Sequence, residues 1–169
     1  MGQKTNEDLA AAFAGESQAN RKYLAFAKKA EKDGMPQIAK LFRAAADAET
    51  VHAHAHLKAL GGINSTVENL KVAVAGESHE FKKMYPEFIE DTKTEGDNKV
   101  ALKSFEFANQ VEEIHHGLYE KALKLAEDGK DLPSGDIYVC QVCGMTVEGE
   151  PPDNCPVCKA KAKMFKKID

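Results

Sequence analysis

The sequence predicts an all-α four-helix bundle followed by a much smaller second domain. Three observations carry that expectation: apolar residues at helical spacing through residues 5–127, turn-forming breaks inside that stretch, and four cysteines gathered beyond residue 137. In the first helix Leu9, Ala12, Phe13, Phe26, Ala27 and Ala30 recur at intervals of three and four, and in the second Ile38, Leu41, Phe42 and Ala45 do the same. The breaks are Asp33-Gly34-Met35-Pro36, Gly61-Gly62-Ile63-Asn64 and Thr94-Glu95-Gly96-Asp97-Asn98, leaving helices of roughly 25 residues each. Ser65-Thr66-Val67-Glu68 reads as a capping box that starts the third helix. After Glu127 the stretch DGKDLPSGD is a linker, so the chain divides into a bundle over residues 1–128, a linker over 129–136 and a small domain over 137–169.

Composition excludes several classes of function. The 169 residues are 43% hydrophobic and 30% charged with a formal net charge of −4, and the lysines are interspersed with acids. That leaves no basic stripe for nucleic acid or an anionic membrane. The segment MGQKTNEDLAAAF lacks the cationic and apolar regions of a signal peptide, and no window approaches a membrane span, so the cytoplasm is the expected location. MGQKTN places asparagine where an acylation signal prefers serine or threonine.

One segment is written twice. AGES occurs at residues 14–17 and again at 75–78, and the apolar face that carries Leu9 and Phe13 reaches Glu16, just as Leu70 and Val74 lead to Glu77 and then Glu80. In the second helix the same stepping reaches Glu49 and His52, and in the fourth Glu112 and His115; each pair is Glu-x-x-His, one turn apart on a single face. Any one of these glutamates alone would read as a solvated surface residue. Five carboxylates and two imidazoles together on inward faces would each cost several kcal/mol without compensation, which a marginally stable domain does not have. A concentrated positive charge resolves this, and oxygen-rich ligation with two histidines suits iron or manganese in a di-metal carboxylate site. His54, His79 and His116 fall off the inward face and are expected to be solvated. His56 is expected to support the site or the core rather than ligate. Glu113 and His116 also spell Glu-x-x-His, but they continue a polar stripe through Asn109 and Glu120. Tyr23 and Tyr85 lie about two turns beyond Glu16 and Glu77, where their hydroxyls can find partners among the carboxylates.

The tail carries Cys140-x-x-Cys143 and Cys155-x-x-Cys158 separated by 11 residues, the spacing of a tetrahedral sulfur cage. Four thiolates accept structural zinc or a single redox iron. Beside a di-iron site that must receive electrons, iron is the expected occupant.

These motifs together resemble the rubrerythrin family: AGES with Tyr23, Glu49-x-x-His52, Glu77-x-x-Glu80, Glu112-x-x-His115, then paired CxxCG and CPxC knuckles. The resemblance implies a ferritin-like di-iron bundle followed by a rubredoxin-like β domain. It also implies a non-haem di-iron peroxidase that reduces hydrogen peroxide to water, taking electrons from a pyridine-nucleotide-dependent reductase or rubredoxin through the four-cysteine iron. By resemblance Glu49 and Glu112 bridge two irons, Glu16 and Glu77 are terminal, His115 holds one iron, and His52 or Glu80 holds the other. Lys159 stands where such knuckles usually carry glycine, and Met145 replaces a usual tyrosine. A ferroxidase or iron-storage protein of the ferritin-like class is the alternative, although it would not need Cys140 to Cys158; a zinc-ribbon adaptor is a third reading.

Two further expectations follow. Parallel second and third helices would need a connection of roughly 30 Å, whereas residues 61–65 reach only about 17 Å, which points to a domain-swapped homodimer. Four glutamates balance two ferrous ions, so a fifth anion, Glu80, should replace neutral His52 only when oxidation raises the metal charge.

Overall fold

The computed structural model describes residues 2–96 and 98–169; Met1, and Asp97 in the third expected break, lie outside the described residues. The helices are α1 (Gln3–Lys32), α2 (Pro36–Ala59), α3 (Thr66–His79), α4 (Tyr85–Glu95) and α5 (Lys99–Glu127), with a π-helical turn at Glu80–Met84 joining α3 to α4. The expected third helix is therefore α3, the π turn and α4 taken together. Strands β1 (Ile137–Cys140), β2 (Thr146–Glu148) and β3 (Phe165–Ile168) form an antiparallel sheet in the order β2-β1-β3. Among the described residues no helix is long and apolar enough to cross a membrane.

Local chemistry sets the helix ends. At the end of α1 the N–H of Gly34 bonds Glu31 and that of Met35 reaches back to Ala30, with Gly34 at φ +75°. This is a Schellman stop, and Pro36 then opens α2 with its φ already helical. Gly61 and Gly62 repeat the device on α2, bonding Lys58 and Leu57. The capping box starts α3 as expected: Ser65 Oγ accepts from the Glu68 N–H, and the Glu68 carboxylate accepts from the Ser65 N–H at 3.1 Å. That reciprocal pair leaves only residues 60–65 between α2 and α3.

The chain forms two compact units, Met1–Asn64 and Ser65–Asp169. In the first, α1 and α2 pack through buried Ala27, Ala30, Ala39, Ala46 and Ala53, small side chains that let two helix axes approach closely. Asn20 ties the pair by donating to the Ala46 carbonyl (2.7 Å) and to Thr50 Oγ1 (2.8 Å). Tyr23, Phe26 and Phe42 form an aromatic cluster with ring centroids 5.6–6.3 Å apart. The second unit holds a matching cluster of Tyr85, Phe88 and Phe105 at 5.6–6.3 Å. The repeat seen in the AGES segments thus extends to the packing.

The second unit continues into the cysteine-bearing sheet, which packs on α5. Val111, at 2% exposure, joins Cys140, Met145, Cys155 and Phe165 in one buried cluster, with Ile114 and Val147 against it. Met145 is therefore a core residue here, and it accepts a 3.6 Å contact from Cys155 Sγ. Lys121 and Glu148 add an ion pair at 2.5 Å.

Lys159, directly after the last cysteine, adopts φ +64°, the left-handed conformation that Gly144 takes (φ +90°) after Cys143. A side chain there costs about 1–2 kcal/mol. Part of that is offset because glycine also loosens the unfolded chain. Lys159→Gly is thus expected to stabilise the cysteine domain by about 0.5–1 kcal/mol in denaturant unfolding.

Candidate metal centre

Among the described residues, each unit carries one cluster of carboxylates and imidazole on facing helix surfaces. In the first, donor atoms of Glu16, Glu49 and His52 lie within 4.8 Å of one another; in the second, those of Glu77, Glu112 and His115 do the same. His52 Nδ1 is 2.9 Å from Glu49 Oε2, and His115 Nδ1 is 2.7 Å from Glu112 Oε2 and 3.9 Å from Glu77 Oε1. The Glu-x-x-His spacing produces both short pairs, because residues three apart overlie on a helix. Carboxylate oxygens and imidazole nitrogens crowded this closely need a cation among them, either a proton or a metal.

The electrostatics agree. Burial first, and then the Glu112 carboxylate, push the Glu77 carboxyl up to about 7. The same two causes raise Glu80. Tyr85 is raised by burial and then by Glu80, Glu112 and Glu77, which places its phenol within the field of the carboxylates. The two histidines differ: the His52 side chain is 55% exposed and His115 only 24%.

Glu80 opens the π turn, with the Tyr85 N–H bonded to its carbonyl. The cause is legible in the spacing, since Tyr23 follows Glu16 by seven residues and Tyr85 follows Glu77 by eight. One extra residue inside a helix is accommodated as a π bulge, a feature frequent at functional sites. It lets Tyr85 regain the position Tyr23 holds while Glu80 sits where the first repeat has Ala19. Sequence periodicity alone did not reveal this turn.

His54 and His79 are exposed and His56 is half-buried. His116 corrects the expectation of a solvated ring. Its side chain is only 15% exposed, Phe81 of the π turn meets it edge-on at 5.3 Å, and Glu120 lies 3.6 Å away. The bulge that re-registers Tyr85 also swings Phe81 onto the polar stripe. Glu113 is exposed.

The second donor set is sulfur. Cys140 and Cys158 lie 3.6 Å apart, as do Cys143 and Cys155, and all four Sγ atoms fall within one cluster. Tetrahedral ligation at about 2.3 Å per bond requires sulfurs about 3.8 Å apart, so the cage fits a metal with little movement. Burial pushes the Cys143 and Cys158 thiols up. Burial also resists ionisation of Cys155, but backbone N–H groups of Cys158 and Val157 bring it below its ordinary value. A bound cation would hold all four as thiolates.

Carboxylate-imidazole sets on two helical hairpins and a tetrathiolate cage define a di-metal carboxylate protein with an appended four-cysteine metal domain. Residues 7–123 match the family model described as Rubrerythrin, and residues 138–166 match that of the rubrerythrin rubredoxin-like domain. The chain belongs to the rubrerythrin family. It is 34% identical to Rubrerythrin-2 of Clostridium acetobutylicum over 95% of both chains. It is 36% identical to Rubrerythrin of Porphyromonas gingivalis, covering 93% of this chain and 86% of that one. Nigerythrin of Nitratidesulfovibrio vulgaris is 35% identical over 91% of this chain and 81% of its own. A structure titled as the fully reduced, all-ferrous state of nigerythrin matches with a TM-score of 0.58 at 32% identity, covering 99% of this chain and 88% of that one. Membership implies a di-iron oxidoreductase of the peroxidase type, with a second iron site in the rubredoxin-like domain, and both donor sets are compatible with iron.

Proposed function

We propose that the chain reduces hydrogen peroxide to water, taking electrons through its four-cysteine domain from a separate reductase or rubredoxin. The observation that supports this most is the seating of the cysteine cage on the α5 face that presents Glu112 and His115, with Val111 in the buried cluster of the cage itself. A storage protein has no use for a one-electron centre in that place. When bound, iron supplies the electrons: peroxide takes up two electrons and two protons, its O–O bond breaks, and two waters leave.

The residues have distinct tasks in this reading. Glu16, Glu49, Glu77 and Glu112 hold the two cations and balance ferrous charge. His115 supplies a neutral donor, while Glu80 and the more exposed His52 are alternatives for one position. Tyr23 and Tyr85 orient carboxylates, and the partial burial of Glu77, Glu112 and His115 limits the water that can compete for those donors. The bundle over residues 1–128 and the cysteine domain over 137–169 divide the labour between oxidant and electron donor.

The site also requires two copies of the chain in this reading. In α2, Ile38 and Leu41, one turn apart on the same face, are 46% and 69% exposed, apolar surface that a partner copy would cover. The capping box at Ser65 prevents the short connection from lengthening at the expense of α3. Exchange of hairpins in a homodimer satisfies both, with Glu16, Glu49 and His52 of one copy meeting Glu77, Glu80, Glu112 and His115 of the other. Sedimentation of the metal-loaded protein as a folded monomer would sink the exchange.

Filling the tetrathiolate cage with zinc tests the relay without unfolding anything. Such protein, with iron in the bundle, is expected to oxidise once on adding peroxide and then stall under a reductase. Undiminished turnover would refute the role given to the cysteines.

A further inference from the structure

We propose that Thr146 is a positioning residue: its hydroxyl, presented by the cysteine domain, holds the His115 imidazole so that Nδ1 faces the carboxylates of Glu77 and Glu112. This rests on reading His115 as a metal ligand through Nδ1. Thr146 Oγ1 lies 2.9 Å from His115 Nε2 and 3.3 Å from the Gly144 carbonyl. The hydroxyl has one proton, and a carbonyl can only accept, so the proton goes to Gly144. Oγ1 must then accept from Nε2–H. With Nε2–H engaged by Thr146, the proton shared between Nδ1 and Glu112 Oε2, 2.7 Å apart, is the one a metal displaces, and the Nδ1 lone pair then serves as the donor. A ligating histidine commonly has its other nitrogen tied in this way, and the partner raises its basicity and fixes its orientation.

The partner here comes from a different domain. Thr146 opens β2, three residues beyond Cys143, and Gly144 directly follows that cysteine in the cage loop. Seating of the cysteine domain and affinity of the bundle for metal are therefore coupled through one hydroxyl. The coupling acts on one imidazole only, since in the first unit His52 is an exposed side chain held by its own helix neighbour Glu49. His115 is the anchored nitrogen donor, and His52 the one that can be exchanged.

The test uses the full-length chain with iron in the tetrathiolate cage, titrated with Fe²⁺ under anaerobic conditions against a competing chelator. Thr146→Val, which keeps the shape and removes the hydroxyl, is expected to weaken Fe²⁺ binding in the bundle about 10- to 100-fold, while Thr146→Ser restores it to within about twofold. In the all-zinc protein the His115 Nε2–H proton should exchange slowly with water in the parent and the serine variant, and rapidly in the valine variant. Retained affinity in Thr146→Val, loss of affinity in Thr146→Ser, or unchanged Nε2–H exchange would each overturn the proposal. His115→Ala separates the two readings. If it too leaves affinity unchanged, the assignment of His115 as a ligand fails; if it weakens binding and Thr146→Val does not, only the positioning role fails.

Discussion

With no metal in the bundle, the chain is expected to lose stability as the pH rises from 4.5 to about 7. Burial and the neighbouring Glu112 raise the Glu77 carboxyl from 4.5 to about 7 in the folded protein. Within that window the folded state keeps a proton that the unfolded chain releases, so folding binds protons and stability falls with pH. The contribution is complete below 4.5 and gone above about 7. Its size is on the order of 1–2 kcal/mol once solvent screening of the partly buried side chain is allowed for. Denaturant unfolding of the parent against Glu77→Gln reads it out, because glutamine cannot ionise and titrations remote from the site cancel in the difference. Metal should reverse the slope: a cation takes the place of the proton and binds more tightly as the carboxylates ionise. A difference between parent and variant that does not move with pH would contradict the electrostatic account of the site.

The second large effect is expected at Glu80. Replacing it with alanine should leave assembly of the reduced site largely intact, because four carboxylates already balance two ferrous ions. Oxidation adds two positive charges, and the missing anion then matters. The expected results are a raised di-iron potential and slower peroxide turnover. Replacing Glu16 should instead impair metal loading in both oxidation states. Redox titration of Glu80→Ala beside the parent decides between these roles, and an unchanged potential would reduce Glu80 to a helix-face residue.

Much of this was legible in local pattern. Helices, Schellman stops, the Ser65 capping box and the cysteine cage are governed by residues a few positions apart, and sequence displays those relations directly. The Glu-x-x-His pairs fall in the same class, since helical geometry sets His115 beside Glu112 on one face. The π turn was harder. Its signature is a single extra residue between Glu77 and Tyr85, visible only when the two repeats are laid against each other and the aromatic clusters are known to coincide. The burial of His116 follows from that bulge and was missed with it. Asn20 and Thr146 act on partners 26 to 31 residues away. Both look like ordinary polar residues until the fold supplies the partner, and for neither does the sequence carry a separate signal.

Anaerobic titration of the fully reduced, iron-loaded protein with hydrogen peroxide decides whether the bundle reduces peroxide with electrons drawn from the cysteine domain. The expected consumption is one equivalent of peroxide for each di-iron pair and half an equivalent more for the cysteine-ligated iron, whose ferric thiolate colour develops as its electron passes to the bundle. All of the iron should remain bound to the chain. An endpoint reached with the cysteine-ligated iron alone, or iron leaving the protein as mineral, would contradict it.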